Sequence, residues 1–147
     1  MYTGVLSNHR RRLIAGATVL AVGGAVSGQA LALSPYTVHV SVVPSVVTKS
    51  HDFRITAAGR SSNASILTVF IDPHKCALTA KVEVTRPKAV KIISQTVVHH
   101  YTKTRVGTAT VVGAHHVCAY LTAVPPQPSL LLQYARATAP YTVVPAP

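Results

Sequence analysis

Two tripeptides concentrate the residue types able to do chemistry in this chain: His74-Lys75-Cys76 and His116-Val117-Cys118. Each reads His-x-Cys, and on a β-strand residues i and i+2 share a face. Two such pairs on adjacent strands would present two imidazoles and two thiolates, a tetrahedral set for zinc or a soft site for copper. Cys76 and Cys118 are also the whole cysteine supply. In an oxidising compartment they would close a single disulfide, which removes the thiolates a metal needs. His-x-Cys on strands is not a zinc-finger spacing. The disulfide is therefore the first expectation, and a metal site at His74, Cys76, His116 and Cys118 the alternative.

Other catalytic sets are absent from the sequence. Asp52, Asp72 and Glu83 are all the carboxylates of a 147-residue chain, which nearly excludes chemistry that needs several. No Gly-x-Ser-x-Gly elbow occurs. His51-Asp52 is sequence-adjacent, so on a strand its side chains point to opposite faces. The doublets His99-His100 and His115-His116 fail to chelate for the same reason, although His100 and His115 would approach if their strands paired. The expectation is a protein without catalysis and without a cofactor.

Against those three acids stand 14 Lys and Arg, a formal charge of +11. Lys81, Arg86, Lys88 and Lys91 fall close together with Glu83 the opposing charge. They form a candidate basic patch for an anionic partner, such as a cell-wall polymer or an envelope surface. Specific nucleic-acid binding is not indicated, since stacking aromatics are few and no RNP, KH or helix-turn-helix signature is present. No small-molecule substrate is identified. Asn63-Ala64-Ser65 matches a glycosylation sequon.

The compartment is read from the N-terminus. Arg10-Arg11-Arg12 precedes an apolar run over 13–26, followed by Ser27-Gly28-Gln29 and Ala30-Leu31-Ala32. A basic region, an apolar region and a small-residue cleavage site are the layout of a secretory signal peptide, with cleavage expected after Ala32. The minority reading is an uncleaved signal anchor, because 13–33 is long enough to span a bilayer. Arg11-Arg12 ahead of Leu13-Ile14 faintly resembles a twin-arginine signal.

The elements that must position these residues are strands. Val, Ile and Thr, stiff at χ1, dominate the chain after residue 33, and ten prolines interrupt any long helix. Residues 36–43 alternate, with Thr37, His39 and Ser41 opposite Val38, Val40 and Val42. Residues 52–58 alternate again, with Phe53, Ile55 and Ala57 inward. A turn is expected at 59–63, then a strand over 65–71 buried on both faces. Further strands are read at 78–84, 90–101, 108–112, 117–123 and 130–134, with Pro125-Pro126-Gln127-Pro128 as a rigid loop. That makes about seven or eight strands, an all-β antiparallel sandwich or barrel. The division is a signal peptide over 1–32, a sandwich over 33–134 and a Pro/Ala/Thr-rich tail over 135–147, extended or disordered.

Ser45-Val-Val-Thr-Lys-Ser-His-Asp-Phe-Arg-Ile-Thr-Ala-Ala-Gly59 resembles the first two strands of bacterial immunoglobulin-like domains. Gly113-Ala-His-His-Val-Cys-Ala-Tyr-Leu121 resembles the penultimate strand of small secreted proteins of high-GC Gram-positive bacteria. The resemblance covers about half of the chain after residue 33. It implies an Ig-like sandwich of about seven strands and an exported location, with no established activity. The sequence departs from true immunoglobulin domains. It has no Trp, Cys76 follows the third strand, and His116 stands where a corner tyrosine would precede the second cysteine. In such a sandwich the third and sixth strands are antiparallel neighbours, which would bring Cys76 beside Cys118. Closing that loop would contribute about 4 kcal/mol by the chain-entropy argument.

Overall fold

A computed structural model describes residues 34–124 and 132–147. The expected signal peptide over 1–32 and the Pro125–Pro128 loop lie outside these residues. The elements are β1 (Tyr36–Val43), β2 (Val46–Thr48), β3 (Asp52–Asp72), α1 (Ala80–Val84), β4 (Val90–Thr108), β5 (Gly113–Ala123) and β6 (Gln133–Val144). Six strands form one hydrogen-bonded sheet in the order β1-β3-β5-β6-β2, with β4 also paired to β3.

β3 folds this sheet into two layers. Its first half pairs with β1, from Val43↔Arg54 to Tyr36↔Ser61. Its second half pairs with β5, from Ser65↔Ala123 to Asp72↔His116. β4 follows β3 along both halves, with register shifts between Ser61 and Ser65 and between Val69 and Phe70. The ribbon bends at the first of these bulges, as an extra unpaired residue bends and twists a strand. β1 thereby comes to face β5 and β6 without pairing to them. The rings of Tyr36 and Tyr134 stack across the gap with centroids 4.0 Å apart.

Alternation along the strands fills the space between the layers. Val38, Val42, Phe53, Ile55 and Ala57 point inward from one layer, and Leu67, Val69, Val117, Ala119 and Leu121 from the other. The inward placement of Phe53, Ile55 and Ala57 is as their spacing predicts.

Several local expectations are corrected. The turn at 59–63 is a bulge inside a continuous strand, in which the Ser61 and Ser65 hydroxyls lie 2.7 Å apart and both donate to the Asn63 carbonyl. Gly59 serves a close approach instead of a turn: a Cβ there would lie 2.0 Å from the Thr37 carbonyl oxygen, which accepts from the Tyr101 hydroxyl. The strand expected at 90–101 runs on to Thr108 as β4, and residues 109–112, expected as a separate strand, belong to the connection between β4 and β5. The tail from Ala135 is most of β6, held between β5 and β2. Its alanines 135, 137 and 139, linker-like in composition, pack against the core.

The strand expected at 78–84 contains the short helix α1. Thr79 caps it, its hydroxyl accepting from the Val82 N–H at 3.4 Å. The alternating pattern misleads here because it runs inverted. Val82 and Val84 are 52% and 60% exposed, while Glu83 is fully buried.

Candidate functional site

The 73–89 connection leaves the sheet at Asp72 and covers the outer face of the β3–β5 layer. Beneath it a second, smaller core forms from Phe70, Cys118 and Tyr120, with Cys76, Ala80 and Ala89 packed on it. The Cys76–Cys118 disulfide fastens it, with the Cα atoms 5.5 Å apart. Cys118 sits opposite Phe70 on neighbouring antiparallel strands.

Two carboxylates hold the rest. Asp72, fully buried, accepts from the His74 backbone N–H at 2.7 Å and from the Arg86 guanidinium at 2.9 Å. The His74 ring Nδ1 lies 3.1 Å from the same carboxylate. Burial works to raise the Asp72 pKa, but Arg86 and the His74 backbone N–H outweigh it and hold the group down at about 2. Glu83 accepts from the Ala77 N–H at 2.6 Å, and its Oε2 lies 2.8 Å from the Tyr120 hydroxyl. Burial, reinforced by Glu83, pushes the Tyr120 phenol well above its ordinary range. Arg86 also donates to the Lys75 carbonyl, and Arg136 to that of Ala77 at 3.2 Å. Gln133 of β6 clamps the start of α1, accepting from the Ala80 N–H and donating to the Leu78 carbonyl.

This cluster turns its chemistry inward. Asp72 and Glu83 are buried against groups of their own chain, so neither is presented to a substrate. The metal-ligating set is not assembled. Both sulfurs are spent in the disulfide, and His74 turns to Asp72. Among the described residues no group of three or more His, Cys, Asp or Glu is placed to hold a metal ion. Nor do His100 and His115 meet: His100 sits opposite Arg60, and His115 opposite Tyr141.

The candidate basic patch is divided. Arg86 is withdrawn into the pair with Asp72. Lys81 and Lys91 line a 470 Å³ groove beside α1, over Ile66 and Phe70 and with the hydroxyl-bearing residues Thr68, Ser94 and Thr122. Lys88 lines a different cleft. Two further arginines stand on the outer face of the β1–β3–β4 layer, Arg60 in a cross-strand row with Thr37 and His100 and Arg54 in a row with Val43 and Val106. The sequence hides the position of Arg60, because Gly59-Arg60-Ser61-Ser62-Asn63 reads as a turn. The alternation of 52–58, continued two residues further, would have placed Arg60 with Arg54.

The three carboxylates neutralise very little of this surface. Asp72 and Glu83 are inside, and Asp52 accepts from the Thr108 hydroxyl at 2.7 Å. Among the described residues Arg86 is the one Lys or Arg within 4.0 Å of a carboxylate.

No family model and no curated protein matches the chain. Solved structures match at low identity. The CARDB domain of the PF1109 protein of Pyrococcus furiosus, crystallised in complex with di-metal ions, is 15% identical, with 74% of this chain and 87% of that one covered and a TM-score of 0.49. The PKD domain of an M14-like peptidase from a Thermoplasmatales archaeon is 13% identical, with 74% and 95% covered and a TM-score of 0.45. The DNA glycosylase AlkC of Pseudomonas fluorescens is 10% identical, covers 75% of this chain and 30% of its own, and has a TM-score of 0.47. CARDB and PKD domains are Ig-like β-sandwiches. The two-layer, all-β architecture of this chain stands on its own strand pairing.

Proposed function

We propose that this chain is an exported immunoglobulin-like β-sandwich that binds anionic polymers of the cell envelope, acting by attachment and not by catalysis. The observation that carries this reading is the placement of its three acids. Two are buried, the third is bonded to a threonine, and among the described residues the exposed Lys and Arg side chains are left without carboxylate partners. An uncompensated positive surface attracts polyanions over a Debye length and adds little to fold stability. Arg54, Arg60 and Lys91 stand on β3 and β4, on strand faces suited to an extended polymer. The basic n-region and apolar run of the N-terminus support export, and export brings the protein to such polymers.

Sedimentation of the purified protein with washed Gram-positive cell walls, over a series of NaCl concentrations, tests the reading. Retention should be high at low salt and fall steeply as screening increases. Changing Lys81 and Lys91 together to Gln should lower the salt needed for release, and so should changing Arg54 and Arg60. Retention indifferent to salt, or no retention at low salt, would overturn the proposal.

A further inference from the structure

We propose that the cleft between the two layers is a binding site for a small amphipathic anion, with its apolar body held between the sheets and its acid group at Lys88. This site is separate from the outer faces invoked for polymers.

The cleft exists because β3 and β4 bend as one ribbon. Both ends of that ribbon arrive at the same place, Phe53 and Thr108 from one layer and Ile71 and Val90 from the other. Among the described residues β4 pairs with β3 alone, and no strand closes the gap on this side. What remains is a 540 Å³ cleft, within the roughly 300–1,000 Å³ of small-molecule sites.

Its walls are apolar and stiff. The Tyr141 ring stacks on Phe53 at 5.0 Å and on His115 at 5.2 Å. The His115 Nε2 lies 2.8 Å from the Val111 carbonyl, an acceptor, so this nitrogen carries the proton and the ring is fixed as part of the wall. Val90 and Val111, 59% and 60% exposed, extend the apolar surface outward to solvent at the mouth.

Charge decides the occupant. Among the described residues Lys88 is the one Lys or Arg lining the cleft, and no carboxylate lines it. A neutral apolar molecule would leave that ammonium unused, and a cation would be repelled by it. An aryl or acyl body carrying one carboxylate, sulfonate or phosphate satisfies both the walls and the rim.

Two fluorescent probes with the same aromatic body test this: 1-anilinonaphthalene-8-sulfonate, and N-phenyl-1-naphthylamine, which lacks the sulfonate. Each is titrated into the full chain at low salt. The sulfonate should bind saturably at one site, and more tightly than the neutral probe. Lys88→Gln should weaken the sulfonate by about fivefold, as for one partly exposed charge pair, and leave the neutral probe nearly unchanged. Val111→Trp and Val90→Trp, which crowd the mouth from exposed positions, should each weaken both probes by at least about tenfold. Lys81→Gln/Lys91→Gln should change neither. Circular dichroism checks each variant's strand content, and Lys88→Gln carries the test if a Trp variant does not fold. Probe binding that survives in folded Trp variants, or a Lys88→Gln effect equal for both probes, would overturn the proposal. Loss of wall retention with probe binding intact would sink the polymer reading alone.

Discussion

The two cores of this molecule are held by different physics. Between the layers, Leu67, Val69, Ile55 and Leu121 meet with almost no exposure and no charged partner. Outside the sheet, under 73–89, three buried apolar side chains are supplemented by a disulfide, two buried carboxylates and a guanidinium. The inner core is large enough to stabilise itself by removing apolar surface from water. The outer one is too small for that. A 17-residue excursion with a single helical turn and a half would not stay folded on propensity alone. Covalent and ionic ties do there what area does inside. Arg86 is the charge diverted to this task, and the basic surface is one cation poorer for it.

Breaking the inner core should have the largest effect. Leu67→Ala should cost about 2–5 kcal/mol, read as a lower urea midpoint for the whole molecule. Replacing Cys76 and Cys118 together by Ser should cost about 4 kcal/mol. Hydrogen exchange should then show 73–89 opening while β3 and β5 stay protected. Equal loss of protection in both regions would mean that the outer core is not a separable unit.

Arg86→Gln should lower the urea midpoint by less than the loss of the disulfide does, because it leaves the Asp72 carboxylate buried without its cation. The same tie should appear as a dependence on pH. Asp72 sits at about 2 in the fold against 3.8 unfolded. Its contribution is therefore present above about pH 4 and lost as pH falls toward 2, about 2 kcal/mol in all. Asp72→Asn should flatten that acid limb, and an unchanged limb would remove Asp72 from its cause. The smallest effect belongs to the surface. Lys81→Gln/Lys91→Gln should move stability by less than about 0.5 kcal/mol while shifting salt-dependent wall retention.

Local pattern alone determined much of this protein. The alternation of β1 and of the first half of β3 named the inward residues. The two cysteines, the whole supply of a chain with an export-type N-terminus, named the bond. The charge arithmetic named a basic surface. These were legible because periodicity and composition are properties of short stretches or of the whole sum.

Tertiary structure decided the rest. Thr79 could cap a helix, but Ala80–Val84 alternates like a strand, and it is Tyr120 and the Ala77 N–H that draw Glu83 under. Residues 59–63 hold turn-forming types, but the Thr37 carbonyl and the Tyr101 hydroxyl keep the chain extended past Gly59. The alanines of β6 read as a tail because nothing in a run of small residues says what will pack on them. Which cations stay free was equally invisible, since it depends on where three acids end up. Lys88 lines the cleft between the layers, and Arg86 reaches back to Asp72 across the 73–89 connection. Strand identity is encoded locally, whereas partnership between charges depends on the path of the folded chain.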